Sequence, residues 1–316
     1  MFAARGIAVS FSVFVMVYCV LSLAVCLTWR RVWLHSGTHA VRRAADLLFV
    51  LRMFPLATAA IITAAFTIPS FVLLEPRAID EPLGAVPLIL GLCGALLGLF
   101  GVMNAAFALR RASHAILQWT SDAQPVNVSS PVRVIRISQN LPAMTAAGIL
   151  RPKVLLSGAA EFLLTPTELQ AALNHEVAHV RRRDNLKKLL FRVVAFPGMR
   201  ELEAAWLEST EMAADDAAVS NPGEALDLAA ALIKLSRLGP NPPQVDLTAA
   251  LIQSPAALTN ARVERLIAWS DQHRTAPVKF PAWYGLAAVV ATVGLLGATY
   301  GSLLASLHTA TEWLVR

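Results

Sequence analysis

Cysteine is nearly absent from this chain. Cys19, Cys26 and Cys93 each sit inside a long apolar stretch, which excludes a disulfide framework and a cysteine-ligated metal site. Tyrosine is as rare: Tyr18, Tyr284 and Tyr300 lie in or beside apolar stretches, so none is left in the polar part of the chain to stabilise a reacting oxyanion. Charged residues make up only 15% against 56% hydrophobic, a balance that excludes an ordinary soluble domain of this size. There is no basic helix interleaved with aromatic residues, so no direct nucleic-acid partner is expected. The net charge of +6 fits arginines beside anionic lipid headgroups. The sequence has no internal repeats and no low-complexity tracts.

Long apolar runs fill much of the chain. Gly6–Trp29, Met53–Leu74, Leu83–Leu109 and Trp283–Leu307 can each cross about 30 Å of hydrocarbon as a helix. The first is too long in its apolar core, and too basic after it, for a cleavable secretion signal. The third carries Gly91, Gly94, Gly98 and Gly101, a close-packing face that a membrane sensor partner or a second copy is expected to use. Arg30, Arg31, Arg42 and Arg43 lie between the first two spans, Arg110 and Arg111 follow the third, and Lys279 precedes the fourth. Basic loops stay in the cytoplasm. The expectation is a multi-pass protein of a bacterial-type inner (plasma) membrane with its N terminus outside. Residues 1–109 would hold three spans, 110–280 one cytoplasmic domain, 283–307 the fourth span and 308–316 a short outer tail.

Within the cytoplasmic segment, Pro131–Ser138 and Lys153–Ser157 read as strands of a small sheet, whose edge could receive a peptide substrate as an added strand. Then comes His175-Glu176-Val177-Ala178-His179. Thr165-Pro166-Thr167-Glu168 reads as a capping box with proline at the first helical position, and Leu169, Ala172, Leu173, Val177 and Val180 form an apolar stripe at helical spacing. Both histidines therefore face one side of a helix, four residues apart. That spacing lets two imidazoles bind one zinc ion, with Glu176 placed to act as general base. Two satisfied helix histidines are the plainer alternative.

A catalytic zinc of this kind needs a third protein ligand and an open position. Glu211 and Asp215 lie four apart on a helix expected from about Arg200 to Val219. Such a like-charged pair is unfavourable unless a cation or proton donor stands between its members. Zinc on Glu211, with Asp215 accepting the spare N–H of a ligand histidine, would resolve it. Glu201, Glu203, Glu208 and Asp216 are nearby, and spacing alone does not choose among them.

The segments HEVAHVRRRDN at 175–185 and LESTEMAADDAAV at 207–219 resemble the membrane zinc peptidases of the β-lactam sensor-transducer type, the BlaR/MecR-like family. AGILRPKVLLS at 147–157 is similar to the stretch before that family's motif helix. The resemblance spans roughly residues 130–270 and the order of membrane spans. It implies a mostly α fold: four transmembrane helices with a cytoplasmic α+β zincin-like (gluzincin) metalloprotease domain. It also implies His175, His179 and Glu211 as zinc ligands, Glu176 as base and Asp215 as a supporting group behind a ligand. Arg265, in Val-Glu-Arg-Leu, is similar to an arginine that recurs in the family and is the candidate for charge stabilisation, with a surface ion pair as its alternative. Arg262, His273 and Asn174 are the other polar groups available, and Asp184 with Asn185 fits a helix start or a supporting pair.

What the resemblance implies for function is zinc-dependent endopeptidase activity on a cytoplasmic target such as a transcriptional repressor, or on the peptidase itself. β-Lactam-sensing members carry a penicillin-binding domain after the last span. Residues 308–316 hold no Ser-x-x-Lys, so acylation by β-lactams is not expected. A second reading is a quality-control protease like the HtpX and CAAX-processing membrane peptidases, which share the motif and the downstream Glu-x-x-x-Asp. A third is a non-catalytic signalling scaffold, against which the retained Glu176 argues.

Overall fold

The computed structural model describes residues 2–35, 41–75, 84–126, 128–138, 143–193, 196–238, 248–250, 256–269 and 299–311. The chain is mostly helical with one small sheet. It divides into two compact units, Met1–Ser36 with Val50–Phe100 and Thr275–Arg316, and Gly37–Phe49 with Gly101–Arg274.

The first unit draws on α1 (Phe2–His35), α2 (Val41–Ile62), α3 (Ile68–Leu74) and the start of α4 (Ala85–Trp119). Among the described residues, three helical stretches are long and apolar enough to cross a membrane: Phe2–Arg31, Val41–Leu74 and Ala85–Trp119. They contain the first two spans expected from sequence and, from Ala85 on, the third; Leu83 lies outside the described residues. Of the fourth, residues 283–298 lie outside the described residues, and 299–311 are helical.

α2 passes into α3 through a π-helical turn, Thr63–Thr67. Pro69, in the first turn of α3, has no N–H to give and its ring crowds the carbonyl four residues back. That carbonyl belongs to Ala65, and Tyr300 Oη donates to it at 2.8 Å. In hydrocarbon every backbone oxygen needs such a partner. Close packing of α4 on α1 explains two of the glycines. A Cβ on Gly91 would stand 2.8 Å from the Ala8 carbonyl oxygen, and one on Gly94 would stand 2.6 Å from that of Phe11. Ser12 Oγ bridges the same helices, donating to Ala8 O at 2.7 Å and Pro87 O at 2.9 Å. The glycine face expected to receive a partner is therefore spent inside the chain at these two positions. Gly98 faces open space.

The second unit is built on a five-stranded sheet of order β1-β2-β4-β3-β5. The strands are β1 (Gln124–Pro125), β2 (Val134–Ile137), β3 (Met144–Ala147), β4 (Lys153–Ser157) and β5 (Thr248–Ala250). β2 and β4 run parallel and the other pairs antiparallel. Around it lie α5 (Gly158–Leu163), α6 (Pro166–Arg182), α7 (Asp184–Val193), α8 (Arg200–Ala218), α9 (Pro222–Ser236) and α10 (Ala256–Trp269).

One sheet face, through Val134, Met144, Val154 and Leu156, packs on Leu173 of α6, Leu228, Leu232 and Leu235 of α9 and Leu266 of α10. The other face, through Ile135, Ile137 and Leu155, meets Ile116 and Trp119 of α4. Burying each such Leu or Ile stabilises the fold by roughly 1.5–3 kcal/mol. The outer edge of β3, the strand under α6, is paired with β5 from Thr145↔Ala250 to Ala147↔Thr248, so the edge nearest the motif helix is already occupied. Helix starts follow local chemistry. Asn221 caps α9 by accepting from Glu224 N, with Pro222 in the first turn.

Candidate metal centre

α6 carries the motif where its start signals direct. Thr165 accepts from Glu168 N, and the Glu168 side chain accepts from Thr165 N, a complete capping box. Helical spacing then turns His175, Glu176 and His179 into the interior, where they are 0%, 0% and 3% exposed. The helix stops at Arg183, which adopts the left-handed conformation at φ 55°. A non-glycine residue there costs on the order of 1 kcal/mol. The turn it makes starts α7 at Asp184 and swings that carboxylate back, with Oδ2 2.8 Å from His179 Nδ1.

α8, packed against α6, supplies further carboxylates. Asp215 Oδ1 lies 2.9 Å from His175 Nδ1, the role expected from its spacing. Carboxylates only accept, so Asp184 fixes a proton on Nδ1 of His179, and Asp215, at ion-pair distance from His175 Nδ1, favours the same tautomer there; that tautomer leaves both Nε2 atoms to present lone pairs. Those two Nε2 atoms face each other at 3.1 Å. Glu211 closes the set, with Oε2 3.6 Å from His175 Nε2 and Oε1 3.5 Å from His179 Nε2. Three electron-pair donors converging this closely repel unless a cation sits between them. A tetrahedral ion with bonds of about 2.0–2.2 Å needs ligand atoms about 3.2–3.6 Å apart. The cluster fits a metal ion, and His175, His179 and Glu211 are the residues able to hold one.

Glu176, between the two histidines in sequence, is anchored on the sheet. Its Oε2 accepts from Ala146 N of β3 at 2.6 Å, while Oε1 is buried without a hydrogen-bond partner. Burial pushes its pKa up, against the pull of both histidines. Asn185 braces the same strand, donating Nδ2 to Ala146 O at 3.1 Å and to Gly148 O at 3.3 Å. The pair Asp184–Asn185 thus both starts α7 and supports the site. Burial holds the Lys188 ammonium of α7 below the ordinary lysine range, although Glu211, Asp184 and Glu176 pull it upward.

The two arginines of α10 separate cleanly. Arg265, expected at the site, gives Nη2 to Asp216 and Nη1 to the Met212 carbonyl at 3.3 Å, both on α8. Arg262 takes the inner position. Fully buried, it donates Nε to Asp215 Oδ2 at 2.8 Å and Nη2 to Oδ1 at 2.7 Å, and Nη1 stands 3.0 Å from Glu211 Oε2. A sequence signal for this existed: Thr259, Arg262 and Leu266 recur at helical spacing and are all buried, which puts Arg262 on the apolar stripe of α10. His273 lies outside the described residues, and Asn174 bonds Gln170 Nε2 through Oδ1 at 3.1 Å.

Electrostatics follow from these contacts. Burial would raise the Glu211 pKa, but His179, Arg262 and His175 outweigh it and hold it at about 2. Asp215 is driven well below the carboxylate range, chiefly by Arg262 against its burial. Burial would lower His175, yet Asp215 and Glu211 raise it to about 9. Protonation of His175 and binding of a cation at its Nε2 are alternatives, since a ligand imidazole must be neutral. A search of protein-family models finds no match to this chain, and a search of curated proteins finds none either.

Proposed function

We propose that the protein is a membrane-embedded zinc metalloendopeptidase of the BlaR/MecR-like type that cleaves a cytoplasmic target, such as a transcriptional repressor. The observation that carries this reading is the convergence of two Nε2 lone pairs and Glu211 beside a buried Glu176 oxygen that has no other partner. Two histidines with a glutamate are a donor set that zinc uses when it does hydrolysis.

Zinc, when bound, supplies a Lewis acid that polarises a carbonyl and makes water nucleophilic near neutral pH. The chain's own residues do the rest. Asp215 and Asp184 keep both histidines in the ligating tautomer. Glu176, raised by burial and anchored by one oxygen on Ala146 N, has its second oxygen available to take the proton of the attacking water and return it to the leaving amine. The arginines at 30–43 and 110–111 support a cytoplasmic location for the unit that carries the site.

One observation favours a second reading, a membrane quality-control peptidase. The far end of α7 meets α4 inside its apolar stretch: a Cβ on Gly101 would stand 1.4 Å from Val193 O, and Asn104 Nδ2 donates to Arg192 O at 3.1 Å. At 1.5 Å per residue, Gly101 lies roughly 13 Å along α4 from Arg110, and α7 is itself roughly 15 Å long. A peptidase whose α7 rests on the continuation of a span suits membrane-proximal chain segments as substrates.

The test is the purified protein in detergent. About one zinc per chain should be found, and Glu176→Gln should keep it while losing peptide hydrolysis. A wild type without tightly bound metal would remove the reading. Substrates tethered by lengthening linkers to a transmembrane anchor separate the two targets, since a repressor protease cleaves the untethered peptide equally well.

A further inference from the structure

We propose that Arg262 is the positioning residue of the metal centre, fixing which oxygen of Glu211 is offered to the metal. This rests on the metal-centre reading above. The guanidinium of Arg262 is planar and carries its donors in a fixed fork. Two of them hold both oxygens of Asp215, at 2.8 and 2.7 Å. With the fork fixed in that way, the third nitrogen, Nη1, is held at ion-pair distance, 3.0 Å, from Glu211 Oε2, an oxygen that makes no hydrogen bond and stands 3.6 Å from His175 Nε2. Oε1 is left facing His179 Nε2 at 3.5 Å.

The consequence is a choice between one-oxygen and two-oxygen ligation. A carboxylate facing a metal alone is free to give it both oxygens, which would fill the position a hydrolytic site keeps open. Arg262 competes for Oε2 and leaves Oε1 as the donor. It also neutralises Asp215, so that Asp215 can orient His175 without adding an uncompensated buried charge. Lysine can match the charge but not the geometry, because a single ammonium cannot hold two carboxylates in register.

The discriminating variant is therefore Arg262→Lys, with Arg136→Lys as a matched control at the solvent-facing pair with Glu161. Zinc affinity is read by competition with a chromophoric chelator, and the thermal unfolding midpoint is read on the metal-free proteins. Arg262→Lys should lose about 10–100-fold in zinc affinity, the usual cost of disturbing a group behind a ligand. Arg136→Lys should lose none. A merely structural arginine would lower the metal-free midpoint and leave zinc affinity unchanged, and that result overturns the proposal. If Arg262→Lys does not fold, X-ray absorption at the zinc edge of the wild type decides. One carboxylate oxygen bound supports the assignment, and a two-oxygen carboxylate overturns it. A wild type that binds no zinc would instead defeat the metal-centre reading itself.

Discussion

The two sides of the metal centre reach their positions by different routes. On one side His175, Glu176, His179 and Asp184 come from ten consecutive residues, placed by helix periodicity and one left-handed turn at Arg183. On the other, Glu211, Asp215 and Arg262 come from α8 and α10, with Asp215 and Arg262 separated by 47 positions. The first side provides two candidate ligands and the proposed base, with Arg182 and Lys187 beside Asp184. The second provides the third candidate ligand, with Arg262 beside Asp215 and Glu211. Local rules are enough to build a recognisable motif, but tertiary packing sets how its charges are balanced.

The largest effect should break the first side alone. Glu176→Gln is expected to cut peptide hydrolysis by roughly 10²–10⁴-fold, the range for a lost general base, with zinc content unchanged. His175→Ala should remove the metal and the activity together. A Glu176→Gln protein that still hydrolyses peptide at the wild-type rate would move the base elsewhere. On the second side, Asp215→Ala should keep zinc but bind it about 10–100-fold more weakly. Unchanged affinity in chelator competition would make Asp215 a structural partner of Arg262 only.

The same division explains what the sequence disclosed. The capping box at Thr165–Glu168, the apolar stripe of α6 and the strand at Lys153–Ser157 are local signals, and each element formed where expected. The i, i+4 pair Glu211 and Asp215 could be placed on one helix face, but spacing could not say which acid met which imidazole. β3 gave no alternation to find, because Met144, Thr145, Ala146 and Ala147 are all buried. Arg262 and Arg265 differ by which face of α10 meets the core, a distinction that tertiary packing makes: Arg262 is fully buried and Arg265 only partly. The Ala65 carbonyl, which Pro69 cannot serve, is met by Tyr300, more than two hundred residues away, a contact no local pattern announces.

Two glycines of α4 sharpen the comparison between packed and open surface. Gly101 admits no side chain, since its Cβ would meet the Val193 carbonyl, while Gly98 has nothing within 4 Å. Gly101→Ala should destabilise by about 1–3 kcal/mol, as overpacking does, and disturb α7, whose first residue orients His179. Gly98→Ala should be neutral or slightly stabilising in a helix. Thermal unfolding in detergent with zinc titration reads both. Equal behaviour of the two variants would show that α7 does not depend on α4.

The smallest effect concerns the start of the motif helix. Glu168 bonds Thr165 N at 2.8 Å and Lys234 Nζ at 2.7 Å. Burial alone would raise its pKa, but Lys234 and Thr165 hold it below the ordinary 4.5. A carboxyl depressed in the folded state binds protons less readily there than in the unfolded chain, so acid favours unfolding. Its contribution is fully present above about pH 4.5 and is lost as pH falls through the lower folded value. Glu168→Gln should therefore cost about 1 kcal/mol near neutrality, the scale of a capping interaction discounted for the half-exposed lysine. The difference from wild type should close below pH 4. It is measured as the gap between their unfolding midpoints from pH 7 to pH 3, and a gap that stays constant would mean that the ionised carboxylate contributes nothing to holding α6 in register.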